Sequence, residues 1–182
     1  MGIMIKKRNG RKEILDITKI QKMTIDATAD LDGVSQSEFA LDAQIKFIEG
    51  MRSPDIQDAL IKTAVEKIDI DVPHWTFVAA RLFIFDLYHR VGKSTHGIKG
   101  EPYCHLRDYL KYGKDAGRLI PNLGTGYDLD DLNSYIKPER DFLFNYLGIK
   151  TLYDRYLIKN KNADPIELPQ HMFMAIAMFL AQ

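Results

Sequence analysis

Between residues 16 and 92 the apolar residues recur every three or four positions in four short runs, and helix start and stop signals punctuate them. The first run holds Ile20, Met23, Ala27 and Leu31. Thr18 and Gln21 precede it at capping-box spacing and Asp32-Gly33 closes it, so a helix should start near Thr18. The second run opens on Ser35 and Glu38, again at capping-box spacing, puts Leu41, Ile45 and Ile48 on one face and stops at Gly50. The third takes Ser53 as N-cap, Pro54 as first helical residue and Asp55 against the positive helix end, and then repeats apolar residues at Ile56, Leu60, Ala64 and Ile68. The fourth starts near Pro73, turns Trp75, Val78, Leu82 and Phe85 inward and reaches Gly92.

Ahead of these helices stands "MIKKRNGRKEIL", residues 4–15. Asn9-Gly10 is a strong hairpin signal, because both central residues of a type I′ turn need φ > 0. In that two-residue register Lys6 faces Glu13. The tip also carries Lys7, Arg8, Arg11 and Lys12. Like charges facing each other across strands are destabilising. The plain reading is a solvated turn. The sharper one is a tip that closes over a polyphosphate, whose charge-assisted contacts would turn the repulsion into stabilisation. Hairpin and four helices together make one domain, residues 1–92.

Residues 93–100, rich in Gly, Lys and Ser, read as a linker to a second region, residues 101–182. Helical patterns return there at 101–113, 128–136 and 139–157. "YLIKNKNADPIELP" reads as a second, longer-looped hairpin. The last segment starts at Pro169 and is wholly apolar from 172 to 181, so its helix should be buried all round. It has no C-cap, which suggests a piece of a longer chain.

Composition narrows the chemistry. The 182 residues carry 25 acidic and 25 Lys or Arg side chains, so the cationic tip is a local feature and not the charge of a nucleic-acid-coating protein. One cysteine, Cys104, excludes an internal disulfide framework and a cysteine-cluster metal site, and a reducing, cytoplasmic compartment fits. No apolar run is long enough to span a bilayer. Gly92-Lys93-Ser94 imitates the end of a phosphate loop. Position 87 is Leu where that motif needs Gly, and the triplet ends a helix instead of following a strand. The five histidines show no metal spacing.

The run "KKRNGRKEILDITKI" resembles the opening of the ATP-cone, the nucleotide-sensing domain at the N-terminus of many ribonucleotide reductases. "RSPDIQDALIKTA" and "HWTFVAARLFIFDL" continue the resemblance to about residue 92. "ERDFLFNYLGIKTLYDRYLI" and "LPQHMFMAIAMFLA" are similar to the segment after the cone in class I reductase large subunits. The fold so implied is α+β and mostly α: a β-hairpin lid over a four-helix bundle, then the helical N-terminal part of the reductase barrel domain.

The resemblance also implies roles. Lys7 and Arg8 address the triphosphate of ATP or dATP, with Mg2+ able to accompany it. Glu13 and Asp16 lie where the family contacts the base and neighbouring groups, and Lys19 follows on the first helix. Ser53 and Gln57 lie near the sugar and base, and Ile5 and Ile20 supply apolar walls. His89 stands where some members carry a phosphate-binding lysine, and a neutral imidazole donates only one hydrogen bond. Gln57 replaces a frequent His or acid, which bears on inhibition by dATP. The family's catalytic cysteines and specificity site lie downstream, so neither catalytic nor metal-binding residues are expected here. Implied partners are the radical-generating small subunit and other large subunits in a homo-oligomer, without nucleic acid or membrane. The rival readings are a free-standing ATP-cone repressor, which would carry a cysteine-rich zinc ribbon, and a purely structural helical module.

Overall fold

The computed structural model describes residues 2–7, 9–95 and 101–181. Contacts divide the chain into two compact units: Met1–Phe83 with Asn145–Leu147, and Ile84–Phe144 with Gly148–Gln182.

The first unit begins with β1 (Met4–Lys6) and β2 (Lys12–Ile14), paired antiparallel. The register pairs Met4 with Ile14, Ile5 with Glu13 and Lys6 with Lys12. This corrects the expected two-residue turn. The Lys7 N–H donates to the Arg11 carbonyl and the Gly10 N–H to the Lys7 carbonyl, both at 2.8 Å, with Gly10 at φ +85°. That is a three-residue loop with glycine in the left-handed position, and it puts Lys6 opposite Lys12 instead of Glu13.

Helix α1 (Ile17–Thr28) is capped by Asp16, not Thr18: the Asp16 carboxylate accepts from the Thr18 and Lys19 N–H groups. A carboxylate there also meets the positive helix end, which a threonine hydroxyl does not. Ser35 caps α2 (Gln36–Gln44) as expected, accepting from the Glu38 N–H. The buried face of α2 differs. Phe39, Ala40 and Ala43 are buried, with Phe47 just beyond, while Leu41, Ile45 and Ile48 are 63, 81 and 66 % exposed. Phe39 decides it, because its ring packs on Trp75 with centroids 5.6 Å apart and so orients the whole helix.

Helix α3 spans Ser53–Glu66 and α4 Trp75–Ser94. Ser53 is the first helical residue and Arg52 the cap position, so Pro54 sits one place later than expected. Ile56, Leu60 and Ala64 are buried, and Val78 and Leu82 face the same core. Lys67, after α3, binds Glu38 and Asp42 at 2.6 Å each and lies 5.3 Å from the Trp75 ring, tying α2 to the start of α4. Burial pulls the Lys67 pKa down, but its hydrogen bonds to Asp42 and Glu38 outweigh this and hold it above the usual value.

The division falls inside α4, after Phe83. The helix runs on through Ser94, across the start of the expected linker; residues 96–100 of that linker lie outside the described residues. The second unit adds α5 (Leu106–Asp115), α6 (Leu129–Ser134), a 3-10 turn (Pro138–Leu143), most of α7 (Tyr146–Arg155) and α8 (Pro169–Leu180). The second hairpin is present as a tight loop: Asn160 N–H donates to Asp164 O and Ile166 N–H to Ile158 O. Helix α8 is not buried all round. Met172, Ala175 and Met178 are buried at helical spacing, whereas Phe173, Ile176, Phe179 and Leu180 are 48 to 75 % exposed. Among the described residues only one side of this apolar helix is covered.

Buried polar groups lie at the centre of the second unit. Asp141 accepts from Tyr103 Oη at 2.6 Å, Tyr88 Oη at 2.8 Å and Gln170 Nε2 at 3.1 Å. Glu167 accepts from Tyr109 Oη and from the Ile158 N–H. His171 stacks on Tyr109 with ring centroids 4.4 Å apart, and its Nε2 lies 3.1 Å from the Cys104 carbonyl. Burial raises the pKa of both carboxyls, against the pull of their hydrogen bonds, and pushes His171 down to about 4.

Candidate functional site

Because residues facing each other across an antiparallel pair point to one side of the sheet, Ile5 and Glu13 share a face. Ile5 is 4 % exposed, so that face is the inner one. Lys7 and Arg11, two residues further along each strand, lie on the same side. Lys7 Nζ sits 3.1 Å from one Glu13 oxygen and Arg11 Nη2 3.8 Å from the other. Lys6 and Lys12 turn outward and are exposed.

The hairpin is fastened on its other edge. Met4 N–H donates to Glu49 Oε2, Gly50 N–H to the Met4 carbonyl and Lys6 N–H to the Met51 carbonyl. Lys6 and Arg52 then form a parallel bridge. Gly50, at φ +80°, makes the turn that lays this strap along β1. The strap delivers the chain directly into α3, so the start of that helix lies beside the hairpin. A helix start favours anions. Arg52 is held there by Asp55, whose carboxylate takes its Nε at 2.8 Å and its Nη2 at 2.6 Å and is itself kept below the usual carboxylate range by that partner. Ser53 Oγ is buried at the same point and has no hydrogen-bond partner. An unsatisfied buried hydroxyl is uncommon and marks a place where a polar group is wanted.

The other residues singled out from the sequence are placed as follows. Asp16 and Lys19 form an ion pair at 3.3 Å on the first turn of α1; desolvation opposes it, but Lys19 and the capped N–H groups lower the Asp16 pKa. Ile20 is buried in the first unit. Gln57 is buried, and its Nε2 donates to the Leu82 carbonyl at 2.8 Å, tying α3 to α4. His89 is an exposed residue of α4 within the second unit. Arg8 lies outside the described residues. The structure thus joins Ile5, Lys7 and Glu13 with the strap leading to Ser53. Sequence reasoning passed over Arg11 as a member of the inner face and the strap Glu49–Arg52 as its frame. Gly50 was the available signal, but it was read as a helix stop.

Residues 3–90 match the ATP cone domain model, and residues 142–182 match that of the ribonucleotide reductase all-alpha domain. The hairpin with its helices is therefore a nucleotide-effector domain of the cone class. Over 180 residues the chain is 60 % identical to the ribonucleoside-diphosphate reductase subunit alpha of Helicobacter pylori (strain ATCC 700392 / 26695), covering 99 % of the chain and 22 % of that protein. It is 32 % identical to the subunit alpha of Haemophilus influenzae and 30 % identical to the ribonucleoside-diphosphate reductase 1 subunit alpha of Escherichia coli (strain K12), in each case over 98 % of the chain and 23 % of the relative. The chain belongs to the ribonucleotide reductase large-subunit family and corresponds to its N-terminal regulatory region. It spans less than a quarter of the length of these relatives. Among the described residues no helix is long and apolar enough to cross a membrane, and no three His, Cys, Asp or Glu side chains converge as a metal site.

Proposed function

We propose that this region is the overall-activity switch of a class I ribonucleotide reductase, a cytoplasmic enzyme that reduces ribonucleoside diphosphates to deoxyribonucleotides. ATP and dATP compete for the cone, residues 1–92. Residues 93–100 connect it to the helical segment 101–182 that leads into the catalytic domain. The observation that carries the reading is the partnerless Ser53 hydroxyl, buried where the strap brings the positive start of α3 beside the hairpin.

In this reading Lys7 and Arg8 hold the triphosphate. Ser53 and Gln57 reach the sugar, Glu13, Asp16 and Lys19 the base and its surroundings, and Ile5 and Ile20 wall the site. The cone contains no metal-ligand cluster among its described residues, so Mg2+ would arrive on the phosphates, keeping most of its water. The effector acts by biasing how the cone docks on the small subunit or on other large subunits. It can shift that equilibrium only by its difference in affinity for the two assemblies.

Calorimetric titration with ATP and with dATP tests the reading. Saturable heat from both, each displacing the other, is expected. No saturable binding of either nucleotide would reduce the chain to a structural module.

A further inference from the structure

The inner face of the hairpin already holds an anion of its own. Lys7 and Arg11 converge on Glu13, and each takes a different carboxylate oxygen, at 3.1 and 3.8 Å. Two cations aimed at two oxygens of one planar group is the arrangement a bridging phosphate would also satisfy. Glu13 is not a casual surface acid. It stands opposite buried Ile5, and its side chain is only 26 % exposed against 75 % for Arg11. The outward pair, Lys6 opposite Lys12, has no acid between its strands. The single hairpin acid therefore sits on the face where the nucleotide is placed, where it offsets the repulsion of the two inner cations.

We infer that Glu13 is a resident counter-ion occupying a phosphate position, and that a polyphosphate binds by displacing it and taking over Lys7 and Arg11. The inference rests on the nucleotide reading of this site. It adds Arg11 as a phosphate ligand and gives Glu13 a second task besides any contact with a base. Without Glu13 the two cations would repel each other; with it, they stay paired on the Ile5 side of the hairpin. Phosphate affinity is then set by a contest between an intramolecular carboxylate and an incoming anion of higher charge. The carboxylate has the advantage of proximity, and the polyphosphate that of charge.

Inorganic tripolyphosphate is the discriminating probe, because it has no base for Glu13 to touch. Its affinity is measured by competition against ATP on the full 182-residue chain. Glu13→Gln keeps the shape of the side chain and removes the charge, and should tighten tripolyphosphate by about two- to fivefold, the scale of a half-exposed ion pair. Arg11→Ala should weaken both tripolyphosphate and ATP, by about tenfold. Both sites lie on the hairpin surface, so folding should survive, as circular dichroism would verify. Tripolyphosphate bound equally or less well by Glu13→Gln overturns the counter-ion role, and an Arg11→Ala variant that binds it like wild type overturns the ligand role. If wild type binds ATP but not tripolyphosphate, the contest for phosphate is not there and the inference fails alone. If wild type does not bind ATP, the nucleotide reading falls and takes the inference with it.

Discussion

The hairpin tip and the centre of the second unit both gather ionisable side chains, and they do so under opposite solvent conditions. At the tip, Lys6, Lys7, Arg11, Lys12 and one acid sit in or near water, where ion pairs contribute about 1 kcal/mol or less. In the second unit Asp141, Glu167 and His171 are at most 1 % exposed; both carboxylates have fixed donors, and His171 Nε2 lies on the Cys104 carbonyl while its Nδ1 has no hydrogen-bond partner. Surface charges can exchange partners at little cost to the fold, so they suit a ligand that comes and goes. Buried ones cannot, because a group left unpaired there costs several times more. The tip is built for exchange and the centre for permanence.

The sharpest way to break this contrast is to remove Asp141. Asp141→Leu would leave the Tyr103 hydroxyl without an acceptor, while Tyr88 keeps the Pro138 carbonyl and Gln170 the Lys137 carbonyl. An orphaned donor costs about 1–3 kcal/mol, so the loss should be of that size, and Asp141→Asn, which keeps one acceptor oxygen, should lose clearly less. Urea unfolding of both variants measures it. Equal stability of the Leu variant and wild type would mean that the network does not hold the second unit together.

The same removal at the tip should spare the fold and damage binding. Lys7→Ala combined with Arg8→Ala should weaken ATP by well over tenfold, since each charged hydrogen bond lost is worth about 1.5–3 kcal/mol. The melting temperature of the nucleotide-free chain should move by no more than a degree or two. Unchanged affinity in calorimetry would reject these residues as phosphate ligands.

His171 supplies a pH test of the buried side. Its pKa is pushed down to about 4 by burial, from an ordinary 6.5. The unfolded chain therefore binds a proton that the folded chain refuses. The stability from neutral His171 is fully present above pH 6.5 and drains away as pH falls toward 4, by about 3 kcal/mol in all. Asp141 and Glu167 act in the opposite sense: their raised pKa values favour the folded state at acid pH. His171→Gln removes only the first effect. Its unfolding free energy should fall less steeply than that of wild type between pH 6.5 and 4.5, and parallel curves would show that His171 does not titrate on unfolding.

Much of this was legible in the sequence, because the signals were local. The hairpin, the four cone helices and the Ser35 cap follow from turn and capping chemistry within a few residues. What was missed depended on distant partners. Nothing local says that Phe39 rather than Leu41 turns inward, since both fit a helical stripe and Trp75 makes the choice. Nothing local says that Glu49–Arg52 will run beside β1, some 45 residues earlier in the chain. The apolar run of α8 was read as total burial, yet only the Met172, Ala175 and Met178 side is covered among the described residues. At the site, the cations were visible by composition, but their sorting into an inner pair and an outer pair required the register.

Gln57 is where the two kinds of polar chemistry meet, and its effect should be the smallest. It belongs to the first unit but is buried like the groups of the second, at 9 % exposure. Its amide nitrogen is committed to the Leu82 carbonyl. If that bond persists when a nucleotide binds, Gln57 can still offer the ligand its carbonyl oxygen, an acceptor, besides its second N–H. An acceptor can take a hydrogen bond from the 2′-hydroxyl of ATP and gets nothing from dATP, which lacks it. One neutral hydrogen bond of this kind is worth about 0.5–1.5 kcal/mol. The expected preference is therefore for ATP, by about tenfold at most. Gln57→Leu should bring the two affinities together and cost the fold about 1 kcal/mol for the lost tie between α3 and α4. Competitive titration of ATP and dATP against both proteins, beside a urea melt of each, separates the two effects. A stability loss with an unmoved affinity ratio would assign Gln57 to the bundle alone and leave the reading of the sugar to another residue.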